Sequence, residues 1–391
     1  MQNYNEEMYG LGSRRSEIRE LFEYGRQLAA EKGADAVFDF SLGNPSVPVP
    51  DAVIASLKAH HDNPGIHAYT SAQGDFEVRK KIAASLNSRF GAGLGADSLY
   101  MTCGAAASLC ISFKALCNPG DEIVVPAPFF PEYKVFAEAA GARFVSVPFN
   151  PADFQPDFTA LASAITPATK AVVINSPNNP SGVVYTLETL RTLASILEEK
   201  SELYGHPIFI VSDEPYREIV YSGEELPFVM NYYRNTLVCY SWSKCLSIPG
   251  ERIGYIAVSP RAEDERAVYA AICGAGRALG YVCAPSLLQR VVAECADVRP
   301  DVDAYRRNRD LLYSELCAMG YECIPPDGAF YLFVKSPIAD AHEFSELAKK
   351  EGLLLVPGDS FGAPGYLRIA YCVSYDTIVR SLPAFKKLKS F

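Results

Sequence analysis

Between residues 99 and 258 short apolar runs alternate with longer stretches whose apolar positions recur at helical spacing. The runs cover 99–102, 122–125, 143–147, 171–175, 208–212, 236–240 and 253–258, and most are rich in β-branched or aromatic residues. Runs this short suit strands, and the intervening stretches suit helices, so the alternation predicts an α/β sheet with helices on both faces. Upstream, 16–32 reads as an amphipathic helix closed by Gly33. The segment F-D-F-S-L-G-N-P-S-V-P-V-P, 38–50, then carries three prolines, which forbid helix and suit an extended connector into another lobe. From about Tyr281 the pattern changes to helices near 286–296 and 303–319 and strands near 329–334 and 366–371. The expected organisation is therefore an N-terminal segment 1–48 that joins a small lobe, a large domain 49–280 and a C-terminal small domain 281–391.

With 391 residues the chain exceeds one ordinary core, in keeping with two lobes and a cleft. Hydrophobic residues are 49% and charged residues 21%, near globular averages, so disorder is a poor reading. The formal net charge of -10 offers no general attraction to nucleic acid or anionic lipid, while leaving room for a local basic pocket. No apolar stretch is long enough to span a bilayer, and the early Glu6 and Glu7 followed by Arg14 and Arg15 do not resemble a secretory leader. The eleven cysteines show no paired C-x-x-C spacing, which fits reduced thiols in a cytoplasmic protein and calls for no metal. Cys103, Cys110 and Cys117 recur every seven residues, the spacing of one packed helix face.

In open α/β sheets ligands sit beyond the carboxyl ends of the strands, and four strand ends here carry unusual residues. In T-C-G-A-A-A-S-L, Thr102 leads through Gly104 into Ala105 and Ala106, small residues that let helix amides approach an anion, or that simply pack closely. In V-V-I-N-S-P-N-N-P-S-G, Asn179 serves either as an amide donor or as a turn residue. In I-F-I-V-S-D-E-P-Y, Asp213 ends an apolar run; it can cap a following helix or pair with a protonated pyridine nitrogen. In Y-S-W-S-K-C-L-S-I-P-G-E-R-I-G-Y, Lys244 follows a strand and Arg252 lies eight residues on. A lysine amine attacks an aldehyde only when deprotonated, which desolvation and nearby cations favour, and Arg252 with Ser241 supplies phosphate ligands.

Taken in order, G-A-A, N-P-S-G, D-E-x-Y, S-x-S-K and R-I-G-Y resemble the class I/II aminotransferases, fold type I enzymes that depend on pyridoxal 5′-phosphate (PLP). The resemblance covers nearly the whole chain. It implies a PLP-dependent transferase fold, with a mostly parallel seven-stranded sheet in the large domain and a smaller α+β lobe. It also implies that Lys244 holds PLP as a Schiff base and shuttles protons, that Asp213 pairs the pyridine nitrogen, and that Tyr216 and Asn179 reach the ring hydroxyl. Phosphate falls to Gly104, Ala105, Ala106, Ser241, Ser243 and Arg252, and Phe130 of P-F-F-P-E-Y stacks on the ring, a buried core aromatic being the lesser alternative. For substrate, the resemblance assigns Gly43 of S-L-G-N-P, Asn179, and Arg368 of Y-L-R-I-A-Y, whose guanidinium suits an α-carboxylate or a structural ion pair. Tyr69 is implied to reach the phosphate of a neighbouring subunit, hence a homodimer with shared active sites.

One aspartate-specific subgroup carries a lysine where this chain has Ala106, which argues against aspartate as sole substrate. Phe129, Phe130, Tyr133 and Tyr69 suggest an aromatic canopy that admits neutral or aromatic side chains. The expected activity is amino-group transfer between an L-amino acid and a 2-oxo acid. The alternative is a PLP-dependent carbon–sulfur β-lyase on the same fold, since the cofactor constellation is shared. A PLP-sensing regulator needs a DNA-binding segment that residues 1–40 are too short and mixed in charge to supply.

Overall fold

The computed structural model describes residues 3–13, 17–223 and 225–389. Two compact units share the chain. The larger comprises Val47–Val302 and Asp327–Ala329, and the smaller the described residues of Met1–Ser46, Asp303–Pro326 and Phe330–Phe391.

Seven strands form the sheet of the larger unit: β1 (Leu99–Thr102), β2 (Glu122–Pro126), β3 (Arg143–Val147), β4 (Thr169–Asn175), β5 (Phe209–Asp213), β6 (Thr236–Ser241) and β7 (Gly254–Val258). Their spatial order is β1-β7-β6-β5-β4-β2-β3, and β7 alone runs against its neighbours. Apart from the edge strand β3, where Arg143 and Ser146 are exposed, the strands read as nearly continuous apolar runs because both faces are covered. Ile123, Val125, Ala171, Val173, Val211 and Leu237 pack with Leu109 and Ile111 of the helix Ala105–Leu116. The alternate residues Val124, Val172, Ile174 and Ile210 pack with Leu190, Leu193 and Leu197 of the helix Leu187–Tyr204. This is the two-faced α/β sheet that the alternation predicts.

Boundaries move by a residue or two where pairing continues past the apolar run. Asp213 pairs with Cys239 and is the last residue of β5, and Ser241 pairs with Gly254 and is the last of β6. Both side chains thus take their direction from the strand rather than from a loop. The helix Ser286–Glu294, expected at the start of the second lobe, belongs to the larger unit, because Leu288, Val291 and Val292 join the core of Val53, Val78 and Ile82. The cysteine row does not form one helix face: Cys110 lies on the helix Ala105–Leu116, but Cys103 precedes it and Cys117 is its extended C-cap. The helix is shorter than the seven-residue spacing requires.

The smaller unit is α+β. A three-stranded antiparallel sheet orders Val356–Pro357, Tyr366–Ala370 and Tyr331–Lys335, and Phe38–Asp39 pairs in parallel with Leu353–Leu354. Its helices include Glu17–Lys32, where 16–32 was expected; Ser16, like Arg14 and Arg15, lies outside the described residues. Among the described residues no helix is long and apolar enough to cross a membrane.

Candidate active site

At one edge of the large sheet the register sets Thr102, Gly254 and Ser241 side by side across β1, β7 and β6. Beyond Thr102 the chain turns at Gly104, whose φ of 87° is open to glycine and strained for other residues, and enters the helix Ala105–Leu116. Thr102 Oγ1 meets Ser108 Oγ at 2.8 Å, and Ser108 Oγ donates to the Tyr255 carbonyl at 3.3 Å, tying the first helical turn to β7. A Cβ on Gly104 would lie 2.9 Å from Arg252 Nη2, and one on Gly254 would lie 2.3 Å from the Tyr240 carbonyl and 3.1 Å from Gly104 Cα. Two glycines therefore bring backbone and guanidinium together at a helix N-terminus, where free amides and the helix dipole favour an anion. Arg252 Nη1 donates to the Pro249 carbonyl at 3.0 Å, which fixes the side chain. Ser241 and Ser243 are buried and Lys244 half-buried in the turn that leaves β6.

On the neighbouring strand β5 stands Asp213, buried. Its Oδ2 accepts a 2.6 Å hydrogen bond from the Tyr133 hydroxyl, while its buried Oδ1 has no hydrogen-bond partner among the described residues. Burial pushes the carboxyl up to about 7; the Tyr133 bond opposes the rise and the Glu214 charge adds to it. Tyr133, itself buried and beside a carboxylate, is pushed well above the ordinary phenol range and stays a donor. Asp213 is therefore not a helix cap. It is a carboxylate with one oxygen anchored by Tyr133 and the other buried and unfilled.

The turn after Asp213 is held by ions and rings. Ser212 Oγ donates to Glu214 Oε1 at 2.7 Å, and Glu214 pairs with Arg217. The Arg217 guanidinium carbon lies 4.9 Å from the Phe228 ring centroid and 5.1 Å from that of Tyr240. This turn carries the buried Tyr216. On the other side, Asn175 at the end of β4 is in register with Asp213; its Nδ2 donates to the Asp213 carbonyl at 2.8 Å and its Oδ1 accepts from the Asn179 amide at 2.7 Å. Asn178 Nδ2 reaches the Pro128 carbonyl at 3.1 Å, joining this loop to the one that bears Phe130. Phe130 meets Tyr133 edge-on, centroids 5.6 Å apart.

The larger unit thus gathers Gly104, Ala105, Ala106, Phe130, Asn179, Asp213, Tyr216, Ser241, Ser243, Lys244 and Arg252 at the ends of neighbouring strands or on the loops leaving them. The aromatic canopy needs correction. Phe129 is buried against Phe144, centroids 5.1 Å apart, Tyr133 turns to Asp213, and Tyr69 is 90% exposed. In the smaller unit Arg368 lies between two rings, its guanidinium carbon 4.8 Å from the Tyr331 centroid and 5.0 Å from that of Phe361, and its Nη2 donates to the Ser41 carbonyl. Gly43 shares this neighbourhood: a Cβ there would fall 1.9 Å from Tyr331 Oη. Asn175, Glu214 and Arg217 escape sequence reading as site residues, and Tyr133 enters it only as a canopy residue, not as the partner of Asp213. The one polar residue ending the apolar β4 run could have raised Asn175.

The donor set fits a phosphorylated pyridine. An anion cradle of small residues and a guanidinium lies at one end, and a buried carboxylate with an unfilled oxygen stands on β5.

The model of the family described as aminotransferase class I and II matches residues 35–382. An aspartate/prephenate aminotransferase of Thermus thermophilus is 32% identical over 363 residues, covering 91% of this chain and 92% of that protein. Among solved structures, an amino transferase from Eubacterium rectale is 55% identical with a TM-score of 0.98, covering 100% of this chain and 99% of that one. The aspartate aminotransferase of T. thermophilus solved with maleate is 27% identical with a TM-score of 0.89, covering 99% of this chain and 100% of that one.

Proposed function

The chain belongs to the class I and II aminotransferases, and from that premise we propose that it moves an amino group between an L-amino acid and a 2-oxo acid with PLP held on Lys244. The observation that carries the site reading is Asp213 Oδ1, buried and unfilled, on a carboxylate whose other oxygen Tyr133 holds. When bound, PLP supplies an aldehyde for the amino group and an electron-poor ring that withdraws the electron pair left at the α-carbon. Asp213 would accept from the ring nitrogen and keep it protonated. Asn179 and Tyr216 would donate to the ring hydroxyl, and Phe130 would cover one ring face. The amides of Ala105 and Ala106 beyond Gly104, the hydroxyls of Ser241 and Ser243, and Arg252 would hold the phosphate. Lys244 would tether the cofactor and, once released, carry a proton to and from the substrate α-carbon.

Arg368 would take the α-carboxylate, with its plane set by Tyr331 and Phe361 and Gly43 leaving room beside them. Arg368→Lys keeps the charge and loses the planar two-point grip. A lost charge-assisted pair costs on the order of 2–4 kcal/mol, so kcat/KM should fall roughly thirty- to a thousandfold. The loss should be equal for one acidic, one aliphatic and one aromatic amino acid, because all share the α-carboxylate. A penalty confined to the acidic substrate would move Arg368 to side-chain recognition.

The 90% exposure of Tyr69 supports a homodimer in which it reaches the partner's phosphate. Eleven cysteines without C-x-x-C spacing, none of them placed in a disulfide, support a cytoplasmic setting. Aminotransferase names recur among relatives that match most of this chain, which disfavours the β-lyase. A single-turnover test separates the two. The PLP enzyme mixed with an amino acid should release one equivalent of oxo acid per site and then stop until a 2-oxo acid is added. Continuous release of pyruvate and ammonia without an oxo acid would make it a lyase.

A further inference from the structure

The loop that carries Tyr69 is fastened to the helix Ser286–Glu294 in an unusual way. Gln289 of that helix is fully buried. Its Nε2 donates to Thr70 Oγ1 at 3.1 Å and to the Ala284 carbonyl at 2.8 Å, while its Oε1 accepts from the Asp75 amide at 2.8 Å. One amide thus spans both ends of the 70–75 loop. Arg290 Nη2 meets Asp75 Oδ2 at 3.3 Å, and Ser286 Oγ donates to the Ile66 carbonyl, so three residues of the helix grip 66–75. The loop is also pinned to the sheet: the Met101 amide donates to the Gln73 carbonyl at 2.9 Å, and a Cβ on Gly74, φ 102°, would lie 2.3 Å from Met101 Cγ. The chain from Thr70 to Asp75, on the C-terminal side of Tyr69, is thus held, while Tyr69 itself is 90% exposed.

We propose that Gln289 is a positioning residue for PLP binding: it presets the backbone at Thr70 so that Tyr69 is held ready for the cofactor phosphate of the partner subunit. The proposal rests on the reading of Tyr69 given above. A buried glutamine with each amide function used is costly to place and costly to unpair, and here two of its three bonds go to the loop. A loop ordered in advance spares binding the entropy of ordering it.

The test compares PLP dissociation constants by equilibrium dialysis for the full chain and for Tyr69→Phe, Gln289→Leu, Thr70→Val and the Tyr69→Phe/Gln289→Leu double variant. Tyr69→Phe and Gln289→Leu should each weaken PLP binding roughly tenfold, the scale of one lost hydrogen bond to a charged group. The double variant should bind no worse than Tyr69→Phe alone, because Gln289 acts only through Tyr69. A residue that merely braces the fold would leave PLP binding intact or multiply the two losses, and either result overturns the proposal. Should Gln289→Leu fail to fold, Thr70→Val removes the acceptor beside Tyr69 from a half-buried position, and its loss should likewise vanish in the Tyr69→Phe background. An unchanged dissociation constant in Tyr69→Phe itself would refute the phosphate role of Tyr69 and the proposal with it. That outcome is read from the single variant and is distinct from failure of Gln289 alone.

Discussion

Lys244→Ala should lower kcat by roughly 10⁴-fold or more, because on the assignment proposed above one substitution removes both the covalent tether and the group that moves the α-proton. PLP should still bind, since the proposed phosphate cradle at Gly104, Ala105 and Arg252 and the carboxylate of Asp213 stand on other elements. The variant should fold normally: Lys244 is half-buried in the turn after β6 and lies outside the apolar clusters that join the sheet to its helices. Borohydride reduction of the parent holoenzyme followed by peptide mapping should find the cofactor on Lys244. Cofactor found on any other lysine would end the assignment.

Asp213→Asn should cost about 4–5 kcal/mol of transition-state stabilisation, a few thousandfold in kcat, because a neutral partner leaves the ring nitrogen unprotonated and a poorer electron sink. The same variant makes a separate prediction for the cofactor-free protein. The folded carboxyl of Asp213 is raised to about 7 from an ordinary value near 4, so the folded state holds the proton more tightly than the unfolded one. Below the ordinary carboxyl range both states are protonated and Asp213 costs nothing. As the pH climbs towards 7 the unfolded chain loses its proton first, and the wild type should lose stability relative to Asp213→Asn, by about 4 kcal/mol once the folded value is passed. Denaturant unfolding of both cofactor-free proteins at pH 4 and pH 8 measures this. Parallel stabilities at the two pH values would mean that Asp213 is not buried as an acid, and near-normal kcat in the variant would remove it from the cofactor.

The two measurements probe different causes. The rate reports what Asp213 does for the ring, and the pH dependence reports where the fold has put it. Tyr133 links them, since its hydroxyl anchors Oδ2 and leaves Oδ1 unfilled, the oxygen proposed above to meet the ring nitrogen.

Much of this was legible in the order of residues along the chain. The seven runs locate the strands to within a residue or two, because a strand covered on both faces must be apolar throughout and short. The residues at their ends, Gly104, Asp213, Lys244 and Arg252, declare their chemistry by type, and their succession is what the family resemblance rests on. Pairing is another matter. Tyr133 and Asp213 are 80 residues apart, and their bond exists because β2 and β5 sit on either side of β4. The cradle of Thr102, Gly254 and Ser241 depends on β7 running backwards between β1 and β6, which no local period encodes. The helix Ser286–Glu294 joined the larger unit on the strength of which core its apolar face could fill, and with it came Gln289 and its grip on the Tyr69 loop. Local spacing sets how a segment folds and which residue types it offers. Only the tertiary structure, through strand order and shared burial, decides which of those residues meet and how strongly the interior shifts their charge.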